Sequence, residues 1–126
     1  MRRGPVQGLL GGFKPAFVFH HHRLHAYRHA LDMAVACNAI CQKLPRGYGH
    51  IADQLRRSSS SVPLLVGEGA NLRPSARKTQ RYREALGECG ESAVALELIS
   101  ALGLADTTHA LDRCRECHRT LQRLTR

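Results

Sequence analysis

Cys114-Arg115-Glu116-Cys117-His118 is the stretch of this chain whose residue types and spacing point most directly to chemistry. Two thiols three residues apart, followed at once by a histidine, form the C-x-x-C-H pattern that attaches c-type haem. Attachment requires export, and residues 1–19 do not read as an export leader. They open with Arg2 and Arg3, but Gly4, Pro5, Gly8, Gly11, Gly12 and Pro15 interrupt every apolar run, and no small-residue cleavage site follows. The segment reads as a flexible tail, or as sequence upstream of the true start. The cysteine pattern also falls inside a helical period, with Cys114 and His118 on the stripe Leu111, Cys114, His118, Leu121. Haem is therefore not expected.

A structural zinc site is the second chemistry to weigh. Cys37 and Cys41 lie one helical turn apart, and on a first helix they would face Cys114, Cys117 or His118 on the last. Four sulfur and nitrogen donors can close a tetrahedral site. These spacings are not those of a zinc knuckle or ribbon, and free Cys is among the most buried residue types, so core packing is the favoured reading. His21, His25 and His29 fall at i, i+4 spacing, which would suit a transition metal. Together with His20 and His22 they read instead as a solvated face at a frayed helix start. No metal and no cofactor is expected. The five cysteines follow no secreted disulfide framework, which points to a reducing, cytoplasmic setting.

Catalysis finds little footing. Glu68, if buried between Gly67 and Gly69, would suit general acid–base work. No second catalytic partner accompanies it, and a salt bridge to Arg56 or Arg57 is the favoured reading. Gly67-Glu68-Gly69 is not a phosphate loop, because the Lys-Ser/Thr and the preceding strand are missing. The chain is read as a non-enzyme without a small-molecule substrate.

The net charge is +9, most of it from Arg rather than Lys. Arg pairs with phosphate in a bidentate fork, so a polyanion is the natural partner: nucleic acid first, then acidic membrane, then acidic protein. The basic residues form two clusters. Arg73, Arg77, Lys78, Arg81 and Arg83 surround the start of a third helix, where amide groups near Ser75 would add to an anion site. Arg113, Arg115, Arg119, Arg123 and Arg126 line the last helix. With Arg56 and Arg57, the first cluster supplies the expected nucleic-acid contacts. Few aromatics stand among them, so stacking on single-stranded bases is not indicated.

Helices must position these residues. Leu24, Tyr27, Leu31, Ala34, Asn38 and Cys41 step by threes and fours, and Leu44-Pro45-Arg46-Gly47 ends that run. Residues 50–72 repeat the step at Ile51, Leu55, Ser58, Val62, Leu65 and Gly69. Pro63 predicts a kink there, with nearby Ser hydroxyls offsetting the hydrogen bond missing at the Ser59 carbonyl. Ser75 is the expected N-cap of a third helix reaching to about residue 102. Tyr82, Leu86, Cys89, Ala93 and Leu96 make one stripe on it. Val94, Leu98 and Leu102 make a second, offset stripe, which is either deeply buried or shared with another subunit. Gly103 is the expected C-cap and Asp106 the next N-cap. No stretch is long enough to cross a bilayer. The fold class expected is all-α: an antiparallel up-down four-helix bundle over residues 23–126, behind a flexible tail over residues 1–22.

The order Gln54-Leu55-Arg56-Arg57, Val62-Pro63, Val66-Gly67-Glu68-Gly69, Ser75, Lys78, Ala85-Leu86-Gly87, Glu91 and Leu102-Gly103-Leu104 resembles the four helix bundle protein family, also called the 23S rRNA intervening-sequence proteins. The resemblance covers roughly residues 23–104. It implies a cytoplasmic bacterial bundle assembled as a homopentamer around a central channel. It implies no enzymatic activity. Some members are encoded inside insertions in large ribosomal RNA genes, and the basic pentameric accessory protein of diversity-generating retroelements is similar in architecture. Two positions depart from the pattern: Leu64-Leu65 stand where Ser-Asn is usual, and Ala93 where a second Glu is usual. The expectation is a non-catalytic, basic homo-oligomer, a pentamer, that binds RNA or DNA or serves as an accessory module. The alternative is a protein-interaction scaffold with incidental charge. A metal-binding bundle is the third reading.

Overall fold

The computed structural model of the chain describes residues 19–126. A 3-10 turn, His20–Arg23, leads into four helices: α1 (His25–Lys43), α2 (Gly49–Asn71), α3 (Ala76–Ala101) and α4 (Thr108–Leu124). Among the described residues there is no strand, so the chain is an all-α bundle as its periodicity predicts. Most of the predicted tail, residues 1–18, lies outside the described residues. His20–Arg23 packs on α2.

The helix ends follow from local chemistry. Leu44 leaves α1 in an extended conformation, as the residue before a proline prefers. Gly47 then turns the chain at φ 99°. The Ser75 hydroxyl accepts the Lys78 amide at 3.2 Å, the predicted N-cap of α3. Gly103, at φ 69°, closes α3: its amide reaches the Ser100 carbonyl, and the Leu104 amide reaches Ile99. That double bond satisfies carbonyls the helix end would otherwise strand. At α4 the cap position is Thr107, one residue past the expected Asp106. Asp106 still supplies the acceptor, taking the Thr108 amide at 3.0 Å and its hydroxyl at 2.7 Å.

Contacts between neighbouring helices run in opposite directions along their sequences. Cys41 donates to the Ala52 carbonyl at one end of α1 and α2, while His21 meets Asn71 at the other. Gln54 bonds Glu91, Ser58 bonds Ser92 and Arg81 bonds Glu68 across α2 and α3. Arg113 ties α4 to Asp32 of α1. Met33, Leu55, Val62, Val66, Leu96, Ile99 and Leu121 fill the centre.

The stripe of α1 is not the one its large residues suggest. Of Leu24, Tyr27, Leu31, Ala34, Asn38 and Cys41, Cys41 alone is fully buried, and Asn38 is exposed. The buried face is Ala26, Ala30, Met33, Cys37, Ile40 and Cys41, with Asp32 beside it. Small Ala residues let the backbones close, and the buried acid is matched by Arg113, so hydrophobic size misleads here.

On α2 the stripe Ile51, Leu55, Ser58, Val62, Gly69 is buried, with Val66 inside in place of Leu65. The helix continues through Pro63. The serine hydroxyls do not offset the missing bond as expected. Ser58, Ser59, Ser60 and Ser61 donate to the carbonyls of Leu55, Arg56 and Arg57, a turn before Ser59. A hydroxyl folds back onto its own preceding turn more easily than it reaches forward. On α3, Tyr82, Cys89 and Leu96 are buried, and Leu86 and Ala93 partly so. Val94, Leu98 and Leu102 are 66%, 46% and 49% exposed, so this chain does not bury its second stripe. Leu64, one of the two departures from the family pattern, is 72% exposed.

Candidate nucleic-acid interface

The seven residues expected to contact nucleic acid fall into three places. Arg56 and Arg57 lie midway along α2 against acids: Arg56 pairs with Asp53 at 3.5 Å, and Arg57 with Glu91 at 3.5 Å and Glu88 at 4.0 Å. The rise of a helix puts them roughly 20 Å from the far end of α2. Arg73, Arg77, Lys78 and Arg81 stand at that far end, around the start of α3. Arg83 is exposed on α3, turned about 200° around the helix from Arg81.

Two of the expected contacts are engaged inside the protein. Lys78 donates its ammonium to the carbonyls of Leu72 at 3.0 Å and Ala70 at 3.3 Å, and lies over the Tyr82 ring. It therefore caps the C-terminus of α2, where a cation complements the helix dipole. Arg81 bonds Glu68 at 2.7 Å and Glu84 at 2.9 Å. The Glu68 hydrogen bond holds the Arg81 guanidinium above the ordinary arginine value.

Glu68 corrects an expectation. It is not buried, its side chain being 43% exposed, and its partners are Arg81 and Arg77 rather than Arg56 or Arg57. Arg56 and Arg57 lie about three turns back on the same helix, beyond side-chain reach. The start of α3, running against the end of α2, brings its own arginines alongside.

The second predicted cluster is largely neutralised. Arg113 pairs with Asp32 at 3.2 Å and Asp112 at 2.9 Å, Arg115 with Asp112 at 3.8 Å and Arg119 with Glu116 at 2.8 Å. Among the described residues, Arg123 and Arg126 make no ion pair and are exposed.

Much of the free charge falls at one end of the bundle, although Lys43, Arg46 and Arg83 are also exposed and without an ion pair among the described residues. A groove of about 480 Å³ lies there, walled by His20, Arg23, Ser75, Lys78, Tyr82 and Leu124. Arg23 is in its wall, Arg73 and Arg123 are each next in sequence to a lining residue (Pro74 and Leu124), and Arg126 lies two residues beyond Leu124; all four are exposed and unpaired among the described residues. Arg77 adds an exposed guanidinium, weakly paired to Glu68 at 3.8 Å. The opposite end is mixed: Lys43 and Arg46 share it with Asp53, Glu97 and Asp106. Arg23 does not emerge from grouping charges along the sequence, and Arg123 and Arg126 emerge there only as part of the last helix's cluster, most of which is paired to acids. The signal lies in the topology, because an up-down path brings the start of α1, the α2–α3 turn and the end of α4 together.

The histidines gather near this end without forming a ligand face. His21 belongs to the 3-10 turn rather than to α1, so it does not share a helix face with His25 and His29. Its ring packs edge-on against Tyr27 and meets the Asn71 amide at 2.7 Å. Burial, then the neighbouring His22, lowers the His21 value. His29 is lowered too, chiefly by burial. Among the described residues no group of three His, Cys, Asp or Glu is arranged to hold a metal ion. All five cysteines are buried and free.

No helix among the described residues is long and apolar enough to cross a membrane. No curated protein matches the chain. The model of a family described as 23S rRNA-intervening sequence protein matches residues 22–126, a span that takes in all four helices. The chain belongs to the 23S rRNA-intervening sequence protein family.

Proposed function

We propose that this protein is a non-catalytic, self-associating cytoplasmic bundle that binds RNA through the basic end of the molecule. One observation carries the reading: the unpaired arginines Arg23, Arg73, Arg123 and Arg126 fall at the same end of the bundle, Arg23 in the wall of its groove and Arg73 and Arg123 each next in sequence to a lining residue, while most others are matched by acids. Phosphate contact needs donors that are exposed and uncommitted. The family description refers to 23S rRNA, which favours RNA over DNA.

Self-association rests on the exposed Val94, Leu98 and Leu102 of α3. Val94 and Leu98 line a groove of about 500 Å³ together with His50, Ile51 and Gln54. A second copy covers this stripe, and a closed ring of five is the assembly the family resemblance implies. Cyclic symmetry presents the same basic end from every copy, and repeated weak contacts then add up.

Light scattering on the purified chain, with and without a structured ribosomal RNA fragment at low and high salt, tests both parts. The expected result is an oligomer whose mass rises with RNA at low salt only. An oligomer indifferent to RNA would leave a protein-interaction scaffold as the function. A monomer for wild type would remove the role assigned to the α3 stripe, and Leu98→Glu is expected to produce that monomer from the oligomer.

A further inference from the structure

The four helices turn different kinds of face to solvent. Exposed residues of α2 include Asp53, Arg56, Arg57 and Glu68, and those of α4 include Asp112, Arg115, Arg119 and Arg123. Between His29 and Gln42, the exposed residues of α1 are Val35, Asn38, Ala39 and Gln42, none of them charged. Val35 is 49% exposed, and half-buried Leu31 lies one turn before it on the same face. Leu64 on α2 is different: it stands singly between Arg57 and Glu68, and a lone exposed leucine is ordinary at a surface.

The other face with few charges is the outer side of α3, where Gly87, Val94 and Leu98 fall on one line. Its two acids stand to the sides. Glu91 is drawn onto Gln54 of α2 at 2.9 Å, and Glu97 lines a cleft toward α4. A Cβ on Gly87 would meet nothing within 4 Å, so the chain's own packing does not require glycine there. Glycine weakens a helix interior, and the close approach of another backbone is a physical reason to keep it.

These two faces are placed to meet each other across copies. Helices α1 and α3 each pack on α2 and α4 and occupy opposite corners of the bundle, so their outer faces point away from one another. Pairings step in opposite directions from α1 to α2 and again from α2 to α3, so α1 and α3 run the same way. The faces are also level. Cys41 lies beside Ala52 and Tyr27 beside Gly67, which sets Val35 level with Ser58 of α2. Ser58 bonds Ser92 of α3, midway along the α3 face. A second copy standing beside the first can therefore lay α1 along α3 in parallel, with the two uncharged stretches in register.

We infer that copies of this chain associate head to tail, the α3 face of one (Gly87, Val94, Leu98) against the α1 face of the next (Leu31, Val35, Ala39). The inference rests on the self-association proposed above and names the surface that covers the α3 stripe. Because the two faces differ, a copy bound through α3 still offers α1, and contacts continue until a ring closes. The axis of such a ring runs along the helices, which puts every basic end on one side.

Light scattering on the full chain without RNA tests the pairing, with wild type, Val35→Glu, Leu98→Glu and an equimolar mixture of the two variants. Each variant alone is expected to be a monomer, because each has lost one of the two faces. The mixture is expected to double that mass, since the Val35→Glu chain keeps its α3 face and the Leu98→Glu chain its α1 face. Ser60→Glu, on the outer side of α2, is expected to keep the wild-type mass. Circular dichroism reports whether each variant is folded, and Ala39→Glu with Val94→Glu replaces the pair if either is not. A Val35→Glu chain that keeps the wild-type mass would overturn the inference, as would a mixture that stays monomeric. A monomeric wild type would overturn the self-association reading and this pairing with it, whereas an oligomeric wild type confines a failure to the pairing.

Discussion

A Cβ placed on Gly69 would lie 2.8 Å from the Tyr82 ring and 3.3 Å from Arg81 Cβ. Only hydrogen lets α2 approach α3 this closely. Gly69→Ala should cost about 1–3 kcal/mol by overpacking. At Gly67 the nearest atom would be Tyr27 at 3.7 Å, an ordinary contact. Gly67→Ala should therefore stabilise the helix by about 0.5–1 kcal/mol, and urea denaturation followed by circular dichroism separates the two. The Asp32–Arg113 pair is a second residue-scale constraint. Asp32 is 3% exposed and depends on Arg113. Arg113→Ala should cost about 3–5 kcal/mol, because it strands a buried carboxylate. A decrease below about 1 kcal/mol in the same denaturation would show that water reaches Asp32. This pair is not legible in the sequence: the partners are 81 residues apart, and each alone reads as a surface charge. The burial of the cysteines is legible as core packing, with Cys37 and Cys41 expected to face Cys114, Cys117 or His118, whereas Cys89 reads only as one step of a stripe.

At the scale of elements, caps are the most readable features. Ser75 and Gly103 are identifiable because their roles depend on local geometry alone. Ser75→Ala should lower stability by about 1 kcal/mol and fray the first turn of α3. Hydrogen exchange at the Lys78 amide reports that fraying directly, and unchanged protection there would show the cap to be idle. The buried face of α1 escapes a search for large apolar residues, because Ala and a paired Asp fill its positions. The second stripe of α3 is legible as a pattern, but its two meanings separate only once the chain's own packing leaves Val94, Leu98 and Leu102 outside.

At the scale of the whole molecule, pH and charge both act. Burial lowers the folded-state value of His29 below the ordinary 6.5, so the unfolded chain binds the proton more readily. Its contribution is fully present above the unfolded value and is lost as pH falls toward the folded one. Stability should therefore drop as pH goes from about 7.5 to about 5.5, and His29→Gln should flatten that slope in denaturant titrations. Asp32, Glu116, Arg113 and His25 face this histidine, and their opposing charges leave burial as the leading cause. The basic end exists only at this scale, since it gathers residues from both termini of the described chain and from the α2–α3 turn.

The salt dependence of RNA affinity tests the basic end most directly. Wild type would be compared with a variant carrying Arg23→Gln, Arg73→Gln, Arg123→Gln and Arg126→Gln, and with Arg56→Gln/Arg57→Gln as a control of similar chemistry at acid-paired sites. Removing one arginine–phosphate pairing should reduce the slope of log affinity against log salt by about 0.7–0.9. The basic-end variant should show a clearly shallower slope and weaker binding, while the control keeps most of both. Equal slopes for wild type and the basic-end variant would contradict the assignment of the RNA-binding surface to this end of the bundle.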